Sequence, residues 1–515
     1  MTNSEFERVT VLPMDEYNQK LVSYVHPPNW VNPQPADCYD LVVIGAGTAG
    51  LVVAAGAAGL DLGLKVALIE KHLMGGDCLN TGCIPSKSII RSARVVGEMW
   101  KAKELGINIS KHIDVDFSTV MARMRKIRAG ISHHDSAERF KNLGIDVFLG
   151  NGRFASKNTV EVDGQTLKFK KAVIATGARA VKLDIPGIEA AGYLTNETVF
   201  SLIQKPKHLA VIGGGPIGCE LAQTFRRLGC EVTLFHRGNH ILNKEDQEAA
   251  EILQKVLIDE GIRLVLNCHL EEVVTVTEGK RLYFSVNGNR DSVTVDEILI
   301  GAGRAPNVEG LDLETVGVEY DKKLGVKVND YLQTTNSKIY AAGDICMNWK
   351  FTHAADAAAR IVIKNTLFSP FGWGRYQLSK LVMPWVTYTD PEIAHVGIDP
   401  DQAEKLGIEI TTIKIPFSSI DRAIADSEEL GFVKIHHKTG SDQILGATIV
   451  ASHAGEMISQ ITTAIAHQLG LSKLSSVIHP YPTQAEAIRK AADAYRRTLL
   501  TPKTKKLLEF LTKFS

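Results

Sequence analysis

The chain has 515 residues, 58 Lys plus Arg against 58 Asp plus Glu, a 44% apolar share and seven cysteines. Single cores rarely grow beyond about 250–300 residues, so more than one domain is expected, each with enough apolar side chains for a core. The balanced charge excludes a global field for nucleic acid or an acidic partner, and so few cysteines exclude a secreted disulfide scaffold and point to a reducing, cytoplasmic setting.

Residues 1–37 form a polar, proline-bearing extension without clear periodicity, expected to wrap the surface; "MTNSEFERVTVLPMDEYNQK" has charges where a signal peptide has its apolar region. Leu41–Leu60, "LVVIGAGTAGLVVAAGAAGL", is uncharged for twenty residues, the length of a membrane span, yet five glycines punctuate it. Strand, tight turn and close-packed helix account for it better. Gly45, Gly47 and Gly50 follow "YDLVVI" and open that helix, as a dinucleotide fingerprint requires, and Glu70 ends the next strand where it can accept hydrogen bonds from a ribose.

The segment "GGDCLNTGCIPSK" (75–87) follows. Two cysteines five apart on a regular helix stand too far apart for a disulfide, but the flanking glycines allow a distorted turn. A zinc site and a pair of inert core cysteines are the alternatives at this point; zinc would need two more ligands at suitable spacing. His133, His134 and Asp135 invite a metal reading, but adjacent histidines on a helix face different ways, so a solvated helix is expected and no metal site is assigned. Helical spacing then gives way to strand up to "KAVIATGAR" (171–179).

A second fingerprint, Gly213, Gly215 and Gly218, lies in "HLAVIGGGPIGCE". Its next strand ends in His236 and Arg237, where NAD-binding units carry a carboxylate; a guanidinium can pair with a 2′-phosphate, so NADPH is favoured over NADH. "DEILIGAGRAPN" and "KIYAAGDI" are apolar strands running into glycine turns, and from about Leu381 antiparallel-looking strands and helices follow without a nucleotide fingerprint. Trp349 and Phe351 are expected to cover a cofactor or an interface. The segment "HPYPTQAE" (479–486) closes this region, and a basic tail with "LLTPKTKKLLEFLTKF" ends the chain; docking on the protein body is favoured for it over a membrane surface.

In order, "GAGTAG", the paired-cysteine segment, "ATGAR", "GGGPIGCE", "GAGRAPN" and "AAGD" resemble the class I pyridine nucleotide–disulfide oxidoreductases (glutathione reductase, lipoamide dehydrogenase, mercuric reductase) over about residues 38–490. The resemblance implies an α/β chain with two Rossmann-like dinucleotide-binding domains of the glutathione reductase type and a C-terminal α+β dimerisation domain. The expected boundaries are an extension (1–37), an FAD domain in two parts (38–190 and 305–378) around an NAD(P)H domain (191–304), a dimerisation domain (379–490) and a tail (491–515). It implies a homodimer with shared active sites. FAD would lie on Gly45, Gly47, Gly50, Glu70, Thr176, Gly177, Gly303 and Asp344. NADPH would lie on Gly213, Gly215, Gly218 and Arg237. Electrons would pass to a Cys78–Cys83 disulfide, with Cys83 facing the flavin, Cys78 attacking substrate, and Lys87 and Glu220 forming an ion pair beside the ring.

Two departures matter. Asp77 replaces a small hydroxyl residue, and a carboxylate beside a thiol opposes thiolate formation unless it is paired. Tyr481 occupies the position of the family's histidine base, two residues after His479 and before the orienting Glu486. A neutral phenol cannot take a thiol proton near pH 7, which argues against lipoamide dehydrogenase. Mercuric reductases carry tyrosine here, so the chain resembles that branch most, although it shows neither their C-terminal cysteine pair nor their N-terminal metal-binding domain. The expected function is NADPH-driven electron transfer to a small disulfide or thiol-reactive acceptor. The alternatives are mercuric reductase, lipoamide dehydrogenase and a flavoprotein sensor without turnover.

Overall fold

The computed structural model describes residues 9–110 and 113–513. They divide into two compact units: one of residues up to Gly213 with Thr224–Phe235 and Cys268–Leu381, the other of Gly214–Gln223, His236–Asn267 and Val382 onward.

The first unit starts with a difference from expectation. The N-terminal extension contains a helix, α1 (Glu16–Val25), whose first turn is capped by Asp15 accepting the Asn18 N–H. Leu21, Val22 and Val25 are buried along one stripe, too short to stand out between proline-rich flanks.

Next come β1 (Tyr39–Ile44), α2 (Thr48–Ala58) and β2 (Val66–Glu70). Both strands are almost entirely buried, which is why each reads as a near-continuous apolar run. The turn between β1 and α2 exists because Gly45 has φ +101°, and a β-carbon there would stand 2.4 Å from the Ala175 carbonyl oxygen. After β2 the chain forms α3 (Gly76–Asn80), α4 (Cys83–Lys101), α5 (Phe117–Ile131), a 3₁₀ turn (Ser132–Asp135) and α6 (Ala137–Asn142).

Strands β3 (Ile145–Leu149), β4 (Gly152–Ser156), β5 (Thr159–Val162) and β6 (Gln165–Ile174) complete the main sheet, in order β3-β2-β1-β6-β5-β4. The β3-β2-β1-β6 part is parallel, and the strand Ile339–Ala341 adds a further parallel neighbour to β6. The carboxyl ends of these strands therefore meet the fingerprint turn and the cysteine segment, the edge where doubly wound folds bind nucleotides. A second parallel set pairs the strand His208–Ile212 with Glu231–Phe235 on one side and Glu297–Ile300 on the other.

The second unit holds a five-stranded antiparallel sheet in the order 384–387, 392–397, 444–451, 432–438 and 410–416. The helices Ala454–Ala466 and Glu486–Thr498 pack on it through Met457, Ile458, Ile461, Ile488 and Ala491. In the tail, the helix Pro502–Leu511 has no buried side chain. Among the described residues, no helix is long and apolar enough to cross a membrane.

Candidate active site

The cysteine segment is not one helix. α3 ends at Asn80, Thr81 and Gly82 leave helical geometry, and α4 restarts at Cys83. This break folds the segment back, so that a β-carbon on Gly82, next to Cys83, would stand 3.7 Å from the Cys78 Cα. The neighbouring Cys83 thiol and then burial push the Cys78 thiol well above the ordinary thiol range. None of the seven cysteines is in a disulfide, and Cys83 Sγ lies 3.3 Å from the hydroxyl of Thr352, the first residue of the helix Thr352–Leu367.

The segment packs directly on the first fingerprint. Gly76 has φ +55°, and a β-carbon there would stand 2.6 Å from the Gly47 Cα. Only glycine lets the cysteine turn come this close to the start of α2, which no side chain caps. Arg128, on α5, fixes the turn from beneath. Its Nη1 donates to the Asn80 carbonyl at 2.6 Å and its Nη2 to the Asn18 side chain of α1 at 2.7 Å.

Asp77 is paired. Arg304 donates through Nη2 to Asp77 and to the Ala178 carbonyl (2.9 Å), and its Nε is 3.3 Å from Asp344. The carboxylate beside Cys78 is thus balanced by a guanidinium, the condition under which it does not oppose thiolate formation.

The residues around the first fingerprint suit FAD. Glu70 accepts the Ala46 N–H at 2.7 Å and the His72 N–H at 2.9 Å, and burial pushes its carboxyl above the usual range. Thr176 and Gly177 are tied to Asn307 by hydrogen bonds of 2.9–3.0 Å, and Gly303 has φ +111°. Asp344 is mostly buried and its carboxyl is likewise raised, burial outweighing the Arg304 charge. The glycine turn, the uncapped helix start and these carboxyls at one sheet edge leave an anion-binding cradle with nearby hydroxyl-binding acceptors.

At the second fingerprint Gly213 has φ +116°, and Gly215 and Gly218 lead into the helix Pro216–Arg227. His236 Nδ1 accepts the Gly214 N–H at 3.1 Å, which matches what Glu70 does for Ala46. Arg237 is exposed beside it.

The other expected residues divide between the units. Lys87 lies in the first turns of α4. Glu220, in the second unit, is buried and accepts the Tyr388 N–H at 2.9 Å. Tyr481 is 70% exposed and its hydroxyl donates to Asp421 at 3.0 Å, which raises the phenol further above its ordinary value. His479 Nε2 is 2.7 Å from the Gln460 amide nitrogen, so that ring is engaged away from Tyr481. Glu486 begins the helix Glu486–Thr498 and pairs with Arg489 at 2.8 Å. His133 and His134 are exposed with tilted rings 3.8 Å apart. Among the described residues, no three His, Cys, Asp or Glu side chains form a metal-binding group. Asp135, grouped in the sequence with two histidines as a solvated segment, is the one residue of that trio turned inward; its burial comes from the cysteine turn packing above it.

Two cysteines on a turn packed against one dinucleotide fold, with a second dinucleotide fold in the same chain, define the class of nucleotide-dependent dithiol oxidoreductases. Residues 39–359 match the pyridine nucleotide-disulphide oxidoreductase family, and residues 383–492 match its dimerisation domain. A mercuric reductase from Lysinibacillus sphaericus is 35% identical over 456 residues, covering 88% of this chain and 82% of the relative. A dihydrolipoyl dehydrogenase from Chlamydia muridarum is 33% identical over 467 residues, with 88% and 96% covered. Among solved structures, the HOCl-induced flavoprotein disulfide reductase RclA from Escherichia coli superimposes with a TM-score of 0.77 at 27% identity, covering 88% of this chain and 99% of that one. The chain belongs to the class I pyridine nucleotide–disulphide oxidoreductases, FAD-dependent enzymes that use a pyridine nucleotide, and its C-terminal domain is the family's homodimerisation domain.

Proposed function

We propose that the protein is an NADPH oxidoreductase whose Cys78–Cys83 pair delivers two electrons to a small disulfide or thiol-reactive acceptor. The observation that carries this reading is the broken-helix turn bearing Cys78 and Cys83, packed directly against the first fingerprint. Gly45–Gly50, Glu70, Thr176, Gly177, Gly303 and Asp344 would hold FAD, which when bound takes hydride from the nicotinamide and supplies both electrons to the cysteines. NADPH is preferred to NADH because a neutral imidazole, His236, stands where a carboxylate would repel the 2′-phosphate; burial lowers its pKa and Arg237 is exposed beside it.

Cys83 is assigned as the inner thiolate, with Thr352 donating to it and Lys87, one turn further along α4, adding positive charge nearby. Cys78 is the outer thiol that attacks the acceptor. Tyr481, His479 and Glu486 would enter the site of the other protomer.

Tyr481 decides among acceptors. Its raised phenol is no base at neutral pH, so withdrawing a proton from an incoming dithiol is not what it does. A phenol beside thiolates does suit a thiol-bound soft metal ion such as Hg(II), which keeps mercuric reduction as the second reading.

NADPH oxidation measured against low-molecular-weight disulfides, Hg(II), quinones and oxygen tests the proposal. Disulfides or Hg(II) are expected to be reduced. Dihydrolipoamide oxidation is expected to be slow and to rise about 100-fold in Tyr481→His, the low end of what a positioned base contributes. Rapid dihydrolipoamide oxidation by the unaltered enzyme would overturn the reading of Tyr481.

A further inference from the structure

Cys78 opens onto a cavity of about 180 Å³ walled by Leu51, Val52, Leu79 and Ile84, and the one carboxyl on its wall belongs to Asp135. Asp135 ends the 3₁₀ turn Ser132–Asp135, and its Oδ2 sits where Gly75 has no side chain: a β-carbon there would stand 3.0 Å away. The charged groups facing this carboxyl are His133 and His134 of its own turn and Arg139 of α6, with Cys78 across the cavity. Burial is the larger effect and raises its pKa, outweighing Arg139, His134 and His133, which favour the carboxylate. A carboxylate short of solvation is a stronger base than an ordinary one. The Asp135 charge in turn raises the Cys78 thiol.

The geometry points to Asp135 as the proton acceptor and donor for Cys78 during reduction of a small organic disulfide, in the role that Tyr481 cannot fill. This rests on the proposed disulfide reductase reading. In the dithiol form, Cys78 gives its proton to the Asp135 carboxylate as its sulfur attacks the acceptor. The acceptor S–S bond breaks, a Cys78–acceptor disulfide forms, and the departing thiolate takes the proton back from Asp135. The Cys83 sulfur then attacks Cys78, closing the Cys78–Cys83 disulfide. The second thiolate leaves and takes from solvent the proton that Cys83 released when it became a thiolate. The dithiol loses two electrons and two protons, and the acceptor gains both as two thiols. The apolar walls suit an uncharged disulfide, and a carboxylate among them disfavours an anionic one.

The test is the dependence on leaving group in Asp135→Asn, which keeps the shape. Bis(2-hydroxyethyl) disulfide releases a basic thiolate that needs a proton; 2,2′-dithiodipyridine, equally uncharged, releases a weakly basic thiolate that does not. With NADPH, turnover of the first is expected to fall about 100-fold, as for loss of a general acid–base group, and that of the second clearly less, because only the transfer from Cys78 is lost there. Asp135→Glu is expected to recover most of the loss. Equal loss on both substrates, or none on the first, would overturn the proposal.

A second measurement needs no nicotinamide. In protein reduced with dithiothreitol, the pH midpoint of Cys78 alkylation by iodoacetamide, read by peptide mass spectrometry, is expected to shift down in Asp135→Asn as a like charge is removed. An unchanged midpoint overturns the role of Asp135. If instead the unaltered enzyme reduces neither disulfide while the midpoint shifts, the disulfide reductase reading fails and the Asp135–Cys78 coupling stands.

Discussion

Glu245 illustrates how burial sets the chemistry of a single side chain here. Its Oε1 accepts the Trp385 indole N–H at 2.7 Å, while Oε2 is buried without a partner. Burial, reinforced by the Asp246 charge, pushes the carboxyl up to about 7 despite that hydrogen bond. A carboxyl raised in the folded state stabilises fully below its unfolded value and loses that contribution as pH rises through the folded one. The window therefore runs from about pH 4.5 to 7. Between pH 5 and pH 8 the protein is expected to lose about 2–3 kcal/mol that Glu245→Gln does not lose. Urea unfolding followed by Trp385 fluorescence checks this, and identical pH dependence in the variant would contradict it. The Arg304 pair follows the same logic at the active site: burial alone would make Asp344 a poor anion, and the guanidinium shared with Asp77 offsets that.

At the scale of elements, α1, α5 and the cysteine turn form one support. Asn18 lies in α1, donates to the Pro13 carbonyl at 2.7 Å and accepts from Arg128, which in turn holds Asn80 at the end of α3. Arg128 is buried and its pKa is pushed down to about 10, so each partner it loses leaves a poorly solvated charge. Asn18→Ala is expected to cost roughly 1–3 kcal/mol in stability, the range for leaving a buried donor unpaired, with a thermal melt as the check. It should also increase alkylation of Cys78 in the reduced protein, because the turn loses its brace; unchanged melting and alkylation would sink this account.

The elements legible in the sequence were those whose function is local. Both glycine fingerprints, the terminal acid Glu70, its replacement by His236 and the cysteine spacing are each set within a few residues, so pattern and chemistry coincide. Features that depend on distant partners were not legible. α1 carries only three buried apolar residues, and its purpose appears only when Arg128 reaches it from 110 positions away. The pairing of Asp77 depends on Arg304, 227 positions on, and the inward turn of Asp135 depends on Gly75 above it. The tail was expected to bury its leucines, yet Leu507, Leu508 and Leu511 are 57%, 46% and 53% exposed, because nothing in the periodicity of an amphipathic helix says whether a surface exists for it.

For the whole molecule, a nucleotide-binding unit carries the dithiol and a dimerisation domain carries Tyr481 and Glu486. Set against the family pattern that the sequence resembles, the acceptor side departs at Asp77 and Tyr481, and we propose that Asp135 acts there with them. The central claim is that electrons from NADPH leave through Cys78 and Cys83. The most direct measurement is anaerobic addition of one equivalent of NADPH to the oxidised, FAD-loaded enzyme, followed by alkylation and peptide mass spectrometry. The account expects Cys78 and Cys83 both to become alkylated, neither to be alkylated before NADPH is added, and Cys83→Ser to abolish the NADPH-dependent gain at Cys78. Consumption of NADPH with the Cys78–Cys83 pair left unreactive would contradict it.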